Sequence, residues 1–388
     1  QMCIRERSEY EETCVGGNLF IYVNASSPGG PGALRFQWYK GGASIPGADD
    51  YYLQYTNAQT SHAGMYYCQI SHTLNGCKIN SDPIDAIVYT YAEDPTGIGA
   101  NPDEAQCPGA SITLTVQGGG TGTGGAWRWF KNSISETNFI SEGSSITVNP
   151  TSTTKYYVRA ESVCNTTIAV NREVNPKSLS TTLSGVTASP SITCEGNQIT
   201  FNISGGSLGA GATWRLGTSC KSGEIKQSST NSISYTPPVG TKTYYVWAAG
   251  DCNVTDCKSA TVTINEPPTI DIQPEGKVLC VGEDYTLMVT ASGSNPINYR
   301  WFKDGSPITD WSTNNSLLLN DVNMNNTGLY RCYVKNSCTS ETGIPSEQVT
   351  TTVKSQPLIT QEPSDISVCE SGSPVVSFTT IADGNDLI

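Results

Sequence analysis

The residues best able to do chemistry in this chain are its cysteines, 14 in 388 residues, with no C-x-x-C pair among them. Wide spacing of that kind suits disulfides made in an oxidising compartment, whereas structural zinc sites draw thiolates from close pairs. The two histidines, His62 and His72, have no nucleophile motif beside them, so neither a catalytic nor a metal-binding pair is expected. The run GGGTGTGG at 118–125 lacks the Lys-Ser/Thr that completes a phosphate-cradling loop and reads as a flexible connection between two strands. Asp49, Asp50 and the late GND lack the alternating spacing of a calcium loop and read as solvated turn carboxylates. Asn-x-Ser/Thr sequons begin at Asn24, Asn165, Asn202, Asn253, Asn314 and Asn325. They would accept glycans in a eukaryotic secreted chain, and they also arise by chance in a sequence this rich in Asn, Ser and Thr. The expectation is therefore no enzyme, no cofactor and no metal.

Composition narrows the class. Charged residues are only 15%, with 38 glycines and 21 prolines, which suits short strands joined by tight turns. A net charge of −13 with 22 scattered Lys and Arg argues against a nucleic-acid partner, which needs a basic patch. No run of 18 apolar residues is present, so no membrane-spanning segment is expected in this stretch. The chain opens on Gln1 without a leader-like segment, and since its cysteines imply export it reads as a mature or partial product. The expected location is extracellular, at the cell surface.

The elements that must position these residues recur. Cysteines at 14, 107, 194, 280 and 369 lie 86 to 93 residues apart, the size of a seven-stranded sandwich. After each, apolar residues or proline fall at offsets five, seven and nine: Leu19, Ile21, Val23; Ile112, Leu114, Val116; Ile199, Phe201, Ile203; Tyr285, Leu287, Val289; Pro374, Val376, Phe378. That period of two predicts a half-buried strand, strand B. About twenty residues on, Trp38, Trp129, Trp214 and Trp301 take the place of the tryptophan that fills a sandwich from strand C. Tyr66, Tyr156, Tyr244 and Tyr330 open the next aromatic motif, where a hydroxyl bonded to the upstream loop would form a tyrosine corner on strand F. Trp247 should face away from the core if Val246 faces in, leaving its ring to stack on a ligand or to pack on neighbouring strands; Trp311 is similarly ambiguous.

Pro-rich and polar stretches set the boundaries of an all-β chain of tandem Greek-key sandwiches forming an elongated rod: domains at 1–92, 93–176, 177–266 and 267–354, with an incomplete fifth at 355–388. At that point a resemblance can be given. Gly-x-Tyr-x-Cys with an upstream Trp, in the first and fourth domains, resembles the immunoglobulin superfamily. CPGASITLTV, CEGNQITFNI, KYYVRAESVC and TYYVWAAGDC, in the second and third, resemble Ig-like repeats of Bacteroidota surface adhesins exported by the type IX system, including the mobile adhesin of gliding bacteria. The resemblance implies a stalk or filament segment for surface attachment or gliding, partnered by further repeats of the same protein and by a surface polysaccharide or protein. It also implies a carboxy-terminal sorting domain, which this stretch does not show. A competing reading is a receptor ectodomain gripping a carbohydrate or protein through its loops.

The cysteines allow two frameworks. Strand B starts at the base of a sandwich and strand F ends at its top, and eight extended residues cover about 26 Å. A disulfide needs Cα atoms within about 7 Å, so distance favours staples between successive domains: Cys14 to Cys164, Cys107 to Cys252 and Cys194 to Cys338. Cys3 would then cap Cys77, Cys220 would join Cys257, Cys280 and Cys369 would await later units, and Cys68 and Cys332 would remain buried thiols. The alternative closes Cys14 with Cys68 and Cys280 with Cys332, the ordinary immunoglobulin bridge.

Overall fold

The computed structural model describes residues 3–5, 10–27, 30, 33–368 and 375–383, with backbone alone at 3–5 and Tyr10. Strands dominate, interrupted by 3-10 turns such as Thr60–His62 and Met324–Asn326. The chain is a tandem array of immunoglobulin-like β-sandwiches grouped in two compact units, Gln1–Leu179 and Ser180–Ile388.

The first unit holds two cores. In sandwich one, Leu19–Tyr22 pairs with Tyr52–Tyr55 across from a second sheet. There Tyr10–Cys14, Ile84–Tyr89, Gly64–His72 and Leu34–Lys40 lie side by side. Alternation decides which face is buried: Leu19 is 1% and Ile21 0% exposed, whereas Phe20 between them is 43% exposed. Sandwich two sets Gly97–Asn101, Ile112–Gln117 and Ser145–Val148 against a sheet of Phe139–Glu142, Ala126–Lys131, Thr154–Glu161 and Val170–Val174.

The second unit repeats the plan. Sandwich three faces Gly185–Ser189, Ile199–Ser204 and Ser232–Tyr235 toward Ile192–Cys194, Lys258–Asn265, Gly240–Ala249, Thr213–Ser219 and Ser222–Ser228. Sandwich four pairs Tyr285–Met288 with Ser316–Leu319 opposite Val278–Cys280, Val349–Lys354, Gly328–Lys335 and Asn298–Lys303. Each core centres on a tryptophan from the third long strand, and Trp38, Trp129, Trp214 and Trp301 are all fully buried.

The expected fifth strand B is corrected. Val376 and Phe378 lie in irregular, exposed chain, and the pairing made here is Leu358–Gln361 with Ile381–Asp383. Among the described residues of this stretch the two strands have no second sheet to bury an apolar face against, so alternation by itself does not fix the strand. Cys369 and Pro374 lie outside the described residues.

Candidate functional site: disulfide-clamped joints

Cys14 ends the strand Tyr10–Cys14, whose parallel pairing with Ile84–Tyr89 sets it opposite Tyr89, the last residue of that final strand of the sandwich. From Tyr89 the chain runs directly into sandwich two. Cys164 lies in the turn after Thr154–Glu161 of that second sandwich and is bonded to Cys14, with Cα atoms 5.8 Å apart. Its Sγ sits 3.7 Å from Tyr89 O. The covalent link thus bridges the place where the chain passes from one core to the next.

The linker beneath it is gripped from both sides. Asn165, next to the bonded cysteine, accepts from Ala92 N at 2.7 Å through Oδ1 and donates to Ala92 O at 3.0 Å through Nδ2. On the other side Glu93 and Gly120 exchange backbone hydrogen bonds, and Thr123 N donates to Thr90 Oγ1. The glycine run at 118–125 is consequently no flexible connection. A Cβ on Gly122, at φ +68°, would stand 2.5 Å from Thr90 O and 2.9 Å from Ala92 N, so only a glycine lets this loop press backbone to backbone on the linker.

The second unit builds the same joint. Cys194 ends Ile192–Cys194 opposite Asn265, and it is bonded to Cys338, with Cα atoms 5.5 Å apart. Cys338 Sγ lies 3.5 Å from Asn265 O. Asn336 donates through Nδ2 to Glu266 O and Ser294 O, while its Oδ1 accepts from Cys338 N. At the start of sandwich three, Asn253 accepts from Ser180 N and donates to Ser180 O.

Two of the sequons are thereby explained as structure. Asn165 and Asn253 belong to a recurring Cys-Asn-x-Thr, and the threonine closes the motif: Thr167 Oγ1 accepts from Ala160 N and Thr255 Oγ1 from Ala248 N. Ser81 and Ser346 serve Cys68 N and Cys332 N in the same way. The signal was present in the sequence as CNTT at 164–167 and CNVT at 252–255, but its match to a glycan acceptor masked the regularity.

The remaining cysteines divide as follows. Cys220 is bonded to Cys257 within sandwich three, and neither Cys107 nor Cys252 is a free thiol. Cys77 corrects the expected cap with Cys3, because it is free and exposed. It is held in the hairpin turn where His72 N donates to Cys77 O, while the backbone of Cys3 pairs opposite Ser26. The side chain of Cys3 lies outside the described residues. Cys68, Cys280 and Cys332 are free, so the ordinary bridges from Cys14 to Cys68 and from Cys280 to Cys332 do not form. Cys68 and Cys332 are buried in the cores of Trp38 and Trp301. Burial pushes the Cys68 thiol up to about 11 and the Cys332 thiol up to about 12, which makes both inert at neutral pH.

Tyrosine corners occur at two of the four expected positions. Tyr66 Oη donates to His62 O at 2.7 Å and Tyr330 Oη to Asn326 O at 2.8 Å, each onto the carbonyl at the end of a 3-10 turn. In sandwiches two and three the approach to strand F carries prolines, Pro150 and Pro237-Pro238, with no such turn. There the hydroxyl neighbours are side chains: Thr154 for Tyr156 and Tyr235 for Tyr244. All four rings are buried. Trp247 is only 4% exposed, its ring lying over Gly217. His62 is structural too, stacked on Tyr55 at 4.0 Å and accepting from Gln59 N, and His72 accepts from Leu74 N. Among the described residues no group of three or more His, Cys, Asp or Glu is placed to hold a metal ion.

Comparison with known proteins gives two family matches: "Immunoglobulin domain" over residues 267–336 and "Ig-like domain CHU_C associated" over 95–176. Among solved structures, immunoglobulin domains 1–5 of Sidekick-1 are 16% identical at a TM-score of 0.33, covering 93% of this chain and 80% of that one. The N-terminal eight Ig domains of the Down syndrome cell adhesion molecule are 15% identical at 0.34, covering 99% and 60%. The insect immune protein hemolin is 12% identical at 0.31, covering 91% and 99%.

Proposed function

We propose that this chain is a structural segment of an extracellular, cell-surface adhesin, in which clamped joints keep consecutive sandwiches from separating under load. The observation that carries the reading is the recurrence of one joint, a staple with an Asn-gripped linker, at Cys14–Cys164 and at Cys194–Cys338. A soluble binding module needs no covalent bond at a linker already held by backbone hydrogen bonds, whereas a tether pulled end to end does. Each disulfide also closes a long loop, 150 and 144 residues, which removes conformational freedom from the unfolded chain. The finer reading, a stalk in a bacterial adhesin serving attachment or gliding, is supported by the Bacteroidota-like motifs of sandwiches two and three and by the match over 95–176.

Single-molecule pulling on the full chain tests it. Without reductant, the residues enclosed by each staple should add no contour length when their sandwiches unfold. With reductant, that hidden length should appear. Equal extension under both conditions would end the load-bearing reading.

A further inference from the structure

Sandwich four carries a cleft of about 550 Å³ on the outer face of its larger sheet, walled by Arg300, Phe302, Trp311, Tyr333, Glu341 and Gly343. That lies within the roughly 300–1,000 Å³ range of small-molecule sites. Strand register puts Arg300 directly opposite Tyr333, and the Phe302 and Tyr333 rings lie 4.8 Å apart as one wall. Trp311 forms the other wall against Gly343, where a Cβ would stand 3.1 Å from the indole and 2.6 Å from Val334 O. The glycine therefore seats the tryptophan. Charge in the cleft is not balanced: Lys335 pairs with Glu341 at 2.7 Å and lies over the Trp311 ring. Arg300 donates through Nε to Thr309 O and lies over the Phe302 ring, 5.7 Å from its centroid, and it has no carboxylate partner among the described residues.

We infer that this cleft binds an acidic sugar residue of a surface polysaccharide, deepening the adhesive reading on which it rests. Aromatic walls accept the C–H faces of a pyranose ring, as amphipathic rings do at wet interfaces. The free edge of the Arg300 guanidinium offers two parallel donors to a uronic carboxylate. A neutral sugar would leave that charge unanswered, and a cationic ligand would be repelled by Arg300.

The test uses a matched pair of disaccharides, cellobiouronic acid and cellobiose, titrated into the full chain and followed by tryptophan fluorescence and calorimetry. The acidic sugar should bind at least about tenfold more tightly, the scale of one charge-assisted pair. Arg300→Gln should erase that preference, Arg300→Lys should keep part of it, and Trp311→Ala should abolish binding of both sugars. Unchanged melting of the Arg300 variants excludes a folding defect. Equal affinity for the two sugars, no binding of either, or full preference in Arg300→Gln would overturn the proposal. Such a failure with staples that still hide length under force would end this inference alone; a stapled chain that extends freely yet binds the sugar would end only the load-bearing reading.

Discussion

At the scale of single residues, buried polar groups carry most of what is specific to this chain. Tyr330 combines a ring in the core with a hydroxyl that reaches Asn326 O. Tyr330→Phe keeps the packing and loses the bond, at about 0.5–1.5 kcal/mol. Tyr330→Ala opens a cavity and should cost about 3–5 kcal/mol; urea titration of the two variants separates the terms. The buried thiols make a pH prediction. Burial raises Cys68 and Cys332 above the ordinary thiol value of 9.0, so the unfolded chain loses its thiol protons first as pH rises. Their stabilising effect is complete below pH 9 and declines above it, by about 2 kcal/mol per thiol near pH 10.5. Cys332→Ala should flatten the alkaline slope of sandwich four relative to the parent between pH 9 and 11, although it lowers stability at neutral pH.

Among elements, the turn after strand F does more than connect. In Cys-Asn-x-Thr one short segment supplies a covalent bond, a clasp on the linker and an acceptor for the buried strand. Thr167→Val keeps the shape and leaves Ala160 N without its 2.8 Å acceptor. An unsatisfied buried N–H costs about 1–3 kcal/mol. Amide exchange should show Ala160 losing protection first, and undiminished protection there would mean the threonine is dispensable.

At the scale of the whole molecule, the four cores share no residue, so each sandwich carries its own stability. Trp301→Ala should remove about 3–5 kcal/mol from sandwich four. By calorimetry one transition should move to lower temperature while those of sandwiches one and two stay in place. Movement of all transitions together would show that the cores melt as one.

The sequence by itself determined the sandwich class, the identity of the central tryptophans and the burial of strand B in four repeats. Those features follow from period-two alternation and from aromatic volume, which are local properties of the chain. Distance along an extended strand also favoured staples between successive domains, since a rise of about 3.3 Å per residue is fixed by backbone geometry. The ordinary bridge from Cys14 to Cys68 was ruled out only by the structure, where Cys14 is bonded to Cys164 and Cys68 is free. Only the tertiary structure decided what the small polar residues do. Asn165 and Asn253 read as glycan acceptors or as chance sequons until the linkers Ala92 and Ser180 were seen to occupy their amides. The glycine run at 118–125 read as slack until a neighbouring backbone was found against it. The tyrosine corner reads alike in all four repeats, yet it forms only where a 3-10 turn brings a carbonyl to the hydroxyl. In each case the partner is brought up by the fold or the turn, and hydrogen bonding, unlike alternation, leaves no periodic trace in the residues that make it.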